Sequence, residues 1–336
     1  MYISQAFKGL HDWWRYIVGV IIAIAGVVVF SIPHVIAISI KTLQGGVDAS
    51  KMEDVNYIMT LFDSNLNLIF ILLPFLGGLI LLFIAVKFLH KLPILQLTTT
   101  RDRIDWKRIG FSFFFWGLIS SGMILIDYFI SPENYLLNFQ FGKFIILAVI
   151  AIILVPIQTS FEEYMFRGYL MQGIGVITRN KWFPLLLTSV VFGGLHIANP
   201  EVEKLGYVIM IYYIGTGLFL GILTLMDEGM ELALGFHAAN NLFTALLVTA
   251  DWTAFQTYSV FKDISDPSSA ELTDIFIPVF IIFPILLFIF SKKYKWTNWK
   301  EKLTGKVYES SPEIAQDHIQ NQAVESINFE TYDNQE

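Results

Sequence analysis

Residues 144–167 read FIILAVIAIILVPIQTSFEEYMFR, a mostly apolar run that is long enough to cross a lipid bilayer and ends in charged side chains. The charges belong to Glu162, Glu163 and Arg167. A charged group at bilayer depth costs about 2.5–3.5 kcal/mol even on insertion-based scales, so such groups need partners and usually serve a chemical purpose. The run therefore predicts a membrane helix that carries a functional site.

The composition of the whole chain agrees with a membrane protein. Of its 336 residues, 55% are hydrophobic and 15% are charged, and the mean hydropathy is +0.59. This is more apolar surface than one water-soluble core would hide, which argues against a soluble enzyme. Because cysteine is absent, disulfides, thiolate zinc sites and a cysteine nucleophile are excluded, and any metal would need His and carboxylate ligands.

The apolar segments predict an all-α fold, a polytopic membrane bundle of about eight transmembrane helices. A helix needs about 20 mostly apolar residues to cross the hydrocarbon core. That length selects residues 16–40, 66–86, 109–130, 144–166, 183–199, 206–226, 231–250 and 273–291. The first segment is too long for a removable signal peptide, so we expect it to be retained.

The distribution of Lys and Arg predicts the orientation, since these residues accumulate on the cytoplasmic side. With an N-terminus inside the cell, sixteen of the 22 Lys and Arg residues fall in inner segments and five in outer segments. Both termini are therefore predicted to be cytoplasmic, in a multi-pass protein of the plasma membrane. The expected partners include membrane lipids, and no basic patch points to nucleic acid.

Two parts of the chain differ in composition. Residues 1–292 hold the apolar segments and form the predicted transmembrane domain. Residues 293–336 begin with a basic stretch, which is expected to anchor the last helix at anionic headgroups, and end in an acidic segment without Lys or Arg. This last segment is predicted to be a disordered cytoplasmic tail.

Helical spacing separates the two carboxylates of the central run. Glu163 and Arg167 are four residues apart and share a face, while Glu162 is turned by about 100°. This predicts that Arg167 keeps Glu163 ionised and that Glu162 faces a polar cavity, where a raised pKa would suit a general base. The alternative is an ion pair at a cytoplasmic helix end that merely reaches the headgroups.

Two further polar pairs lie in later apolar segments. Phe192 and His196 are four residues apart, as are His237 and Asn241, so each pair shares a helix face. A single membrane histidine is also often a hydrogen-bond link between helices, and Asn240, which points away from Asn241, has the same alternative role. Three apolar segments thus each contribute a polar face.

The ordered set of the EExxxR run from Glu162 to Arg167, the FxxxH run from Phe192 and the HxxxN run from His237 resembles the CPBP family. These are the CAAX-protease and bacteriocin-processing intramembrane peptidases, also called the Abi family. The resemblance covers about residues 107–250, which we take as the peptidase core. It implies an all-helical bundle with a cavity open toward the cytoplasm, and endoproteolysis of a membrane-associated protein or peptide.

The resemblance also implies a role for each residue. Glu162 would activate water, which His196 would help to hold, and His237 and Asn241 would donate hydrogen bonds to the oxyanion of the tetrahedral intermediate. Glu163 and Arg167 would support the site, with Arg167 also a contact for a substrate carboxylate. The catalytic set is then Glu162, His196, His237 and Asn241, acting by a glutamate-activated water.

Several alternatives remain open at this point. Glu162, His196 and His237 could instead bind Zn²⁺, although no His-Glu-x-x-His run is present, and we favour a mechanism without a metal or other cofactor. A non-catalytic scaffold of the same family and a proton-coupled transporter are the competing functions. For a peptidase, the resemblance implies CAAX-type processing, bacteriocin or quorum peptide maturation, or self-immunity.

One geometric expectation follows from ideal straight spans. Glu162 would lie about 27 Å along the helix from Phe144, near the cytoplasmic face, whereas His196 would lie about 21 Å from that face. These depths would keep the two side chains apart. We therefore expect either that residues 168–183 fold back into or along the membrane, or that the fifth helix is short and starts deep, at Pro184.

Overall fold

The computed structural model describes residues 1–267 and 272–309, and α-helices dominate these residues. In chain order the helices are α1 (Trp13–Leu43), α2 (Val55–Met59), α3 (Ser64–Ile84), α4 (Ile94–Thr98), α5 (Trp106–Ile130), α6 (Phe141–Glu163), α7 (Met171–Thr178), α8 (Trp182–Gly194), α9 (Pro200–Leu205), α10 (Met210–Asp227), α11 (Glu231–Leu247), α12 (Leu272–Ile277), α13 (Phe283–Tyr294) and α14 (Trp299–Thr304). Most of the predicted acidic tail lies outside the described residues.

Shorter helical and strand elements complete the fold. The π-helical turns are Ala85–Leu89, Tyr164–Leu170 and Pro278–Ile282, and the 3-10 turns include Ile3–Lys8 and Leu195–Ala198. The strands β1 (Tyr135–Leu137), β2 (Val248–Thr249) and β3 (Phe261–Asp263) form a small sheet in the order β1-β3-β2. Strand β3 is antiparallel to β1 and parallel to β2. The sequence did not predict this sheet, whose strands have only two or three residues each.

The predicted polytopic helical membrane protein is confirmed. Within the described part of the chain, six helical runs are long and apolar enough to cross a bilayer, and their bounds are Trp13–Leu43, Ser64–Leu89, Trp106–Ile130, Phe141–Thr178, Tyr207–Asp227 and Leu272–Tyr294. The predicted segments 183–199 and 231–250 form the shorter helices α8 and α11, of 13 and 17 residues. The number of eight crossings and the sides of the two termini therefore stay predictions.

Aspartate residues fix the starts of several of these helices. The side chain of Asp63 accepts a hydrogen bond from the backbone N–H of Asn65 at the start of α3. Asp105 accepts bonds from the N–H groups of Lys107 and Arg108 at the start of α5. Each aspartate satisfies donors that have no partner within the helix, and its charge suits the positive end of the helix dipole.

The helix that carries the central glutamates is longer than the sequence predicted. The π-helical turn joins α6 to α7 in one continuous helix of 38 residues, Phe141–Thr178, which is about 57 Å long. The helix thus continues past residue 166, where the predicted span ends, and Glu162 lies near the middle of this helix. Residues 168–178 continue the helix instead of folding back. The second expectation, a short fifth helix, agrees with the 13 residues of α8, which starts at Trp182.

Glycines allow the closest contact between helices α1 and α3. A Cβ atom on Gly26 would lie 2.3 Å from the carbonyl oxygen of Gly77, and one on Gly77 would lie 2.3 Å from the carbonyl oxygen of Gly26. The two backbones therefore touch, as is common for small residues in membrane helix pairs. Among the helices that carry the polar pairs, α11 packs against both α5 and α6, and α10 packs against α8.

The predicted orientation can be tested directly because the chain has no cysteine of its own. Ser50, between α1 and α3, and Thr297, after α13, are both exposed. We expect a membrane-impermeant maleimide to label a Ser50→Cys variant in intact cells, and to label Thr297→Cys only after the cells are permeabilised. The opposite labelling pattern would reverse the topology.

The glycine contact gives a prediction about stability. Gly26→Ala should destabilise the protein by about 1–3 kcal/mol, because the added methyl group forces the backbones of α1 and α3 apart. Gly122→Ala on α5 is the matched control, since a Cβ atom there meets nothing within 4 Å. The measurement is thermal unfolding of both variants in the same detergent. Equal melting temperatures would contradict the packing argument.

Candidate active site

A cavity of about 620 Å³ lies beside the middle of the long helix. Glu162, His196 and Asn241, three of the residues singled out in the sequence, line its wall. The other three, Glu163, Arg167 and His237, lie behind that wall and are at least 94% buried. The structure thus brings all six residues into one region, arranged as a wall and a layer that supports it.

Glu163 is the centre of the supporting layer. Its Oε1 atom accepts hydrogen bonds from Nη1 of Arg167, at 3.0 Å, and from Nδ1 of His237, at 2.7 Å. The side chains of Glu163 and Arg167 are 0% and 1% exposed. The pairing predicted from their spacing of four residues is therefore present. A buried charge pair of this kind is sustained only by good geometry and further hydrogen bonds.

Arg167 is fully engaged by the protein. Besides Glu163, its Nη2 atom donates to the carbonyl oxygen of Gly217 at 3.1 Å, which ties the long helix to α10. Its guanidinium group lies 4.3 Å from the ring centre of Phe192, a cation–π contact with α8. Arg167 does not line the cavity. The structure therefore does not place it where the resemblance implied, in contact with a substrate carboxylate.

His237 lies between the two glutamates. Because the Glu163 carboxylate accepts from Nδ1, this nitrogen carries a proton. The other ring nitrogen, Nε2, lies 3.4 Å from Oε2 of Glu162. The two atoms make no hydrogen bond, and Oε2 of Glu162 is buried without a hydrogen-bond partner among the described residues. His237 therefore joins the supporting layer to Glu162 by contact, while its hydrogen bond goes to Glu163.

His196 presents one nitrogen to the cavity. It lies in the 3-10 turn Leu195–Ala198 that follows α8, and its Nδ1 atom is 2.8 Å from the carbonyl oxygen of Phe192, to which it donates. Its ring stacks on Tyr213 of α10 with 4.4 Å between the centres. Since Nδ1 carries the proton, Nε2 is an acceptor that can orient a water molecule.

Amide side chains form the next part of the wall. Nδ2 of Asn241 donates to Oε1 of Gln158 at 3.1 Å, and Oδ1 of Asn241 accepts from Nδ2 of Asn240 at 3.2 Å. Nε1 of Trp116 donates to Asn240 in turn. The sequence analysis did not single out Gln158, although it precedes Glu162 by four residues, a spacing that places it on the same helix face. Asn240, for which the sequence suggested a hydrogen bond between helices, contacts both Trp116 of α5 and Asn241 of the site.

The far end of the cavity is formed by residues that the sequence assigns to the outer side. These are residues near the C-terminal end of α11 and in the segment after it, such as Thr244 and Trp252, together with Glu201 of α9 and Asp263 of β3. The resemblance implied a cavity open toward the cytoplasm. The lining residues instead extend from Glu162 toward the end of the bundle that is poor in Lys and Arg.

Glu201 is a second carboxylate on this wall that the sequence analysis did not find. Its Oε1 atom accepts from the backbone N–H of Ala254 at 2.8 Å, while Oε2 is buried without a hydrogen-bond partner among the described residues. Burial raises the pKa of the Glu201 carboxyl. No periodicity could have revealed it, because its neighbours in the fold come from distant parts of the chain.

The described side chains of the site do not form a set of metal ligands. Among the residues that the structure describes, no group of three or more His, Cys, Asp and Glu side chains is placed so that it could hold a metal ion. Glu162 and His237 approach each other, but they do not form such a group with His196. No step of the chemistry below is therefore assigned to a metal.

Comparison with known proteins agrees with the arrangement of the motifs. A sequence model of the family described as type II CAAX prenyl endopeptidase Rce1-like matches residues 141–243, which include all six site residues. The chain is 32% identical over 246 residues to the uncharacterized protein YyaK of Bacillus subtilis (strain 168), covering 73% of this chain and 81% of the relative. No solved structure matches the chain. With its motifs, fold and these matches, the chain belongs to the Rce1-like family of CAAX-type membrane proteases.

Proposed function

We propose that the protein is an intramembrane endopeptidase that hydrolyses a peptide bond of a membrane-associated protein or peptide in the cell membrane. The observation that carries this proposal is Glu162, a carboxylate on the wall of a cavity of about 620 Å³, with the buried imidazole of His237 3.4 Å behind it. A carboxylate in this setting suits a general base. The cavity is large enough for several side chains of an extended peptide.

Water attack on the scissile carbonyl is the first chemical step. Glu162 takes a proton from a water molecule that Nε2 of His196 helps to orient, and the water oxygen forms a bond to the carbonyl carbon. The proton then passes to the leaving amine when the C–N bond breaks. No side chain becomes acylated, so the products are a carboxylate and an amine.

Asn241 is the group that we assign to the oxyanion. One of its two amide N–H donors is used by Gln158, which leaves the second for the developing negative charge. Gln158 and Asn240 fix the orientation of this amide. The proposal thus departs from the resemblance in one role, since His237, which does not line the cavity, positions Glu162 instead of donating to the oxyanion.

The base itself gives the first test. Glu162→Gln should lower peptide cleavage by about 10²–10⁴-fold, the usual contribution of a general base, because the amide cannot accept the proton. Purified wild-type and variant proteins are placed in liposomes with a mixture of hydrophobic membrane peptides, and new termini are counted by mass spectrometry. Glu203→Gln, at an exposed position on α9, is the control and should cleave as the wild type does.

The competing functions are distinguished by the same samples. If Glu162→Gln releases the same peptides at the same rate, the endopeptidase proposal fails. If wild-type liposomes instead carry a proton flux that Glu162→Gln abolishes, without cleavage of any peptide, the protein is a transporter. A catalytic metal would be indicated by loss of cleavage after treatment with a strong chelator and its recovery with zinc.

The supporting layer gives a second prediction, about folding. Glu163→Gln should destabilise the protein by about 3–5 kcal/mol, because it leaves the buried Arg167 guanidinium without its counter-charge. The measurement is unfolding of the detergent-solubilised protein. Glu203→Gln removes one partner of an exposed ion pair with Lys204 and should change stability by no more than about 1 kcal/mol.

A double variant separates the pair from its surroundings. Replacing both partners, as Glu163→Gln with Arg167→Met, removes the unpaired charge and should cost less than the sum of the two single changes. If the double variant loses as much unfolding free energy as the two single variants together, the two side chains do not stabilise each other.

A further inference from the structure

The charged side chains around the cavity have one sign. Glu162, Glu201 and Asp263 line it, and no Lys or Arg is among the described lining residues. Arg167 is enclosed behind the wall by Glu163, Gly217 and Phe192. Lys262, next to Asp263 in the sequence, pairs with Asp251. A substrate that enters the cavity therefore meets negative charge and no compensating cation from the lining.

Glu201 has an unused hydrogen-bonding atom in this wall. Its Oε1 atom is bonded to the Ala254 N–H, but the buried Oε2 atom has no donor within the described residues. The Oε2 atom itself is shielded from the cavity, but the Glu201 side chain as a whole is partly exposed and lines it. No Lys or Arg side chain forms an ion pair with Glu201 among the described residues, so its carboxylate attracts a cation that enters the cavity.

The position of Glu201 connects it to the reacting groups. The ring of Tyr213 stacks on His196, and its hydroxyl oxygen lies 3.5 Å from Nδ2 of Asn199. Asn199 immediately precedes α9, whose second residue is Glu201. All four residues line the same cavity. A peptide bound with its scissile bond beside Glu162 and His196 thus has a neighbouring side chain within this part of the wall.

We propose that Glu201 is a specificity-determining residue that binds a Lys or Arg side chain of the substrate close to the scissile bond. This inference rests on the proposed endopeptidase function and names the substrate class: a membrane-associated peptide with a basic residue beside the cleavage site. Aromatic rings at the same wall, Tyr213 and Trp252, suit such a cation as well.

Cleavage of a capped peptide library tests the proposal. The peptides share one apolar sequence, are acetylated and amidated so that their termini carry no charge, and carry a single Lys, Gln or Glu at each position in turn. We expect the wild type to cleave at a fixed offset from the Lys, at least about tenfold faster than at the same offset from Glu. Glu201→Gln should reduce this ratio to within about twofold while still cleaving the Gln peptides.

Matched variants on the same short helix control for folding. The amide oxygen of Glu201→Gln can still accept from the Ala254 N–H, so the contact between α9 and the following segment is kept. Glu201→Lys should reverse the preference toward Glu peptides, whereas Glu203→Gln, two residues away and exposed, should leave it unchanged. An equal preference for Lys in the wild type and in Glu201→Gln would overturn the assignment.

Binding separates this inference from the proposed function. The Glu162→Gln variant is used with fluorescently labelled Lys and Glu peptides, and dissociation constants are measured in detergent. Tighter binding of the Lys peptide that depends on Glu201 supports the specificity site even if the wild type cleaves nothing, in which case the endopeptidase proposal alone fails. Equal binding of both peptides overturns the specificity site even if cleavage occurs.

Discussion

The buried carboxylate of Glu163 is the interaction on which the rest of the site depends. One of its oxygens receives both the Arg167 guanidinium and the His237 imidazole, and these come from two different helical segments. Arg167 continues the connection to α10 through Gly217. Because ions inside an apolar bundle are tolerated only when paired and hydrogen-bonded, the packed helices depend on this geometry. The position of Glu162 on the cavity wall is a consequence of that requirement.

The same pairing explains why the long helix passes through the charged residues without ending. A search for apolar spans stops at Arg167, because it treats each charge as exposed to lipid. In the structure the charges of Glu163 and Arg167 face each other inside the bundle, and the next turns carry buried residues such as Met171. The N-terminal 3-10 turn packs against α7 and covers this extension. Glu162 consequently lies at mid-helix, and the short α8 allows His196 to line the same cavity.

Local spacing predicted the parts of the site that lie on one helix. The pairing of Glu163 with Arg167 and the different direction of Glu162 follow from the helical period alone. The helical period does not predict which side of the long helix faces α11. It also does not predict which nitrogen of His237 contacts Glu163, since both features depend on packing between helices. Glu201 was beyond reach for the same reason: its partner Ala254 is distant in sequence and lies in a segment without periodicity.

The distribution of polar groups around Glu162 indicates how water and substrate reach it. Toward the end of the bundle that holds the Lys-rich and Arg-rich segments, Glu162 is followed by the buried apolar side chains of Met165, Phe166 and Met230, which pack in one core cluster. In the opposite direction, Gln158, Asn241 and Glu201 line the cavity. A base that activates water needs a polar path to it, because an apolar seal of this kind holds no water. If Glu162 is the base of the proposed endopeptidase, the path runs toward the side that the charge distribution predicts to be outside the cell, and Glu201 lies along it.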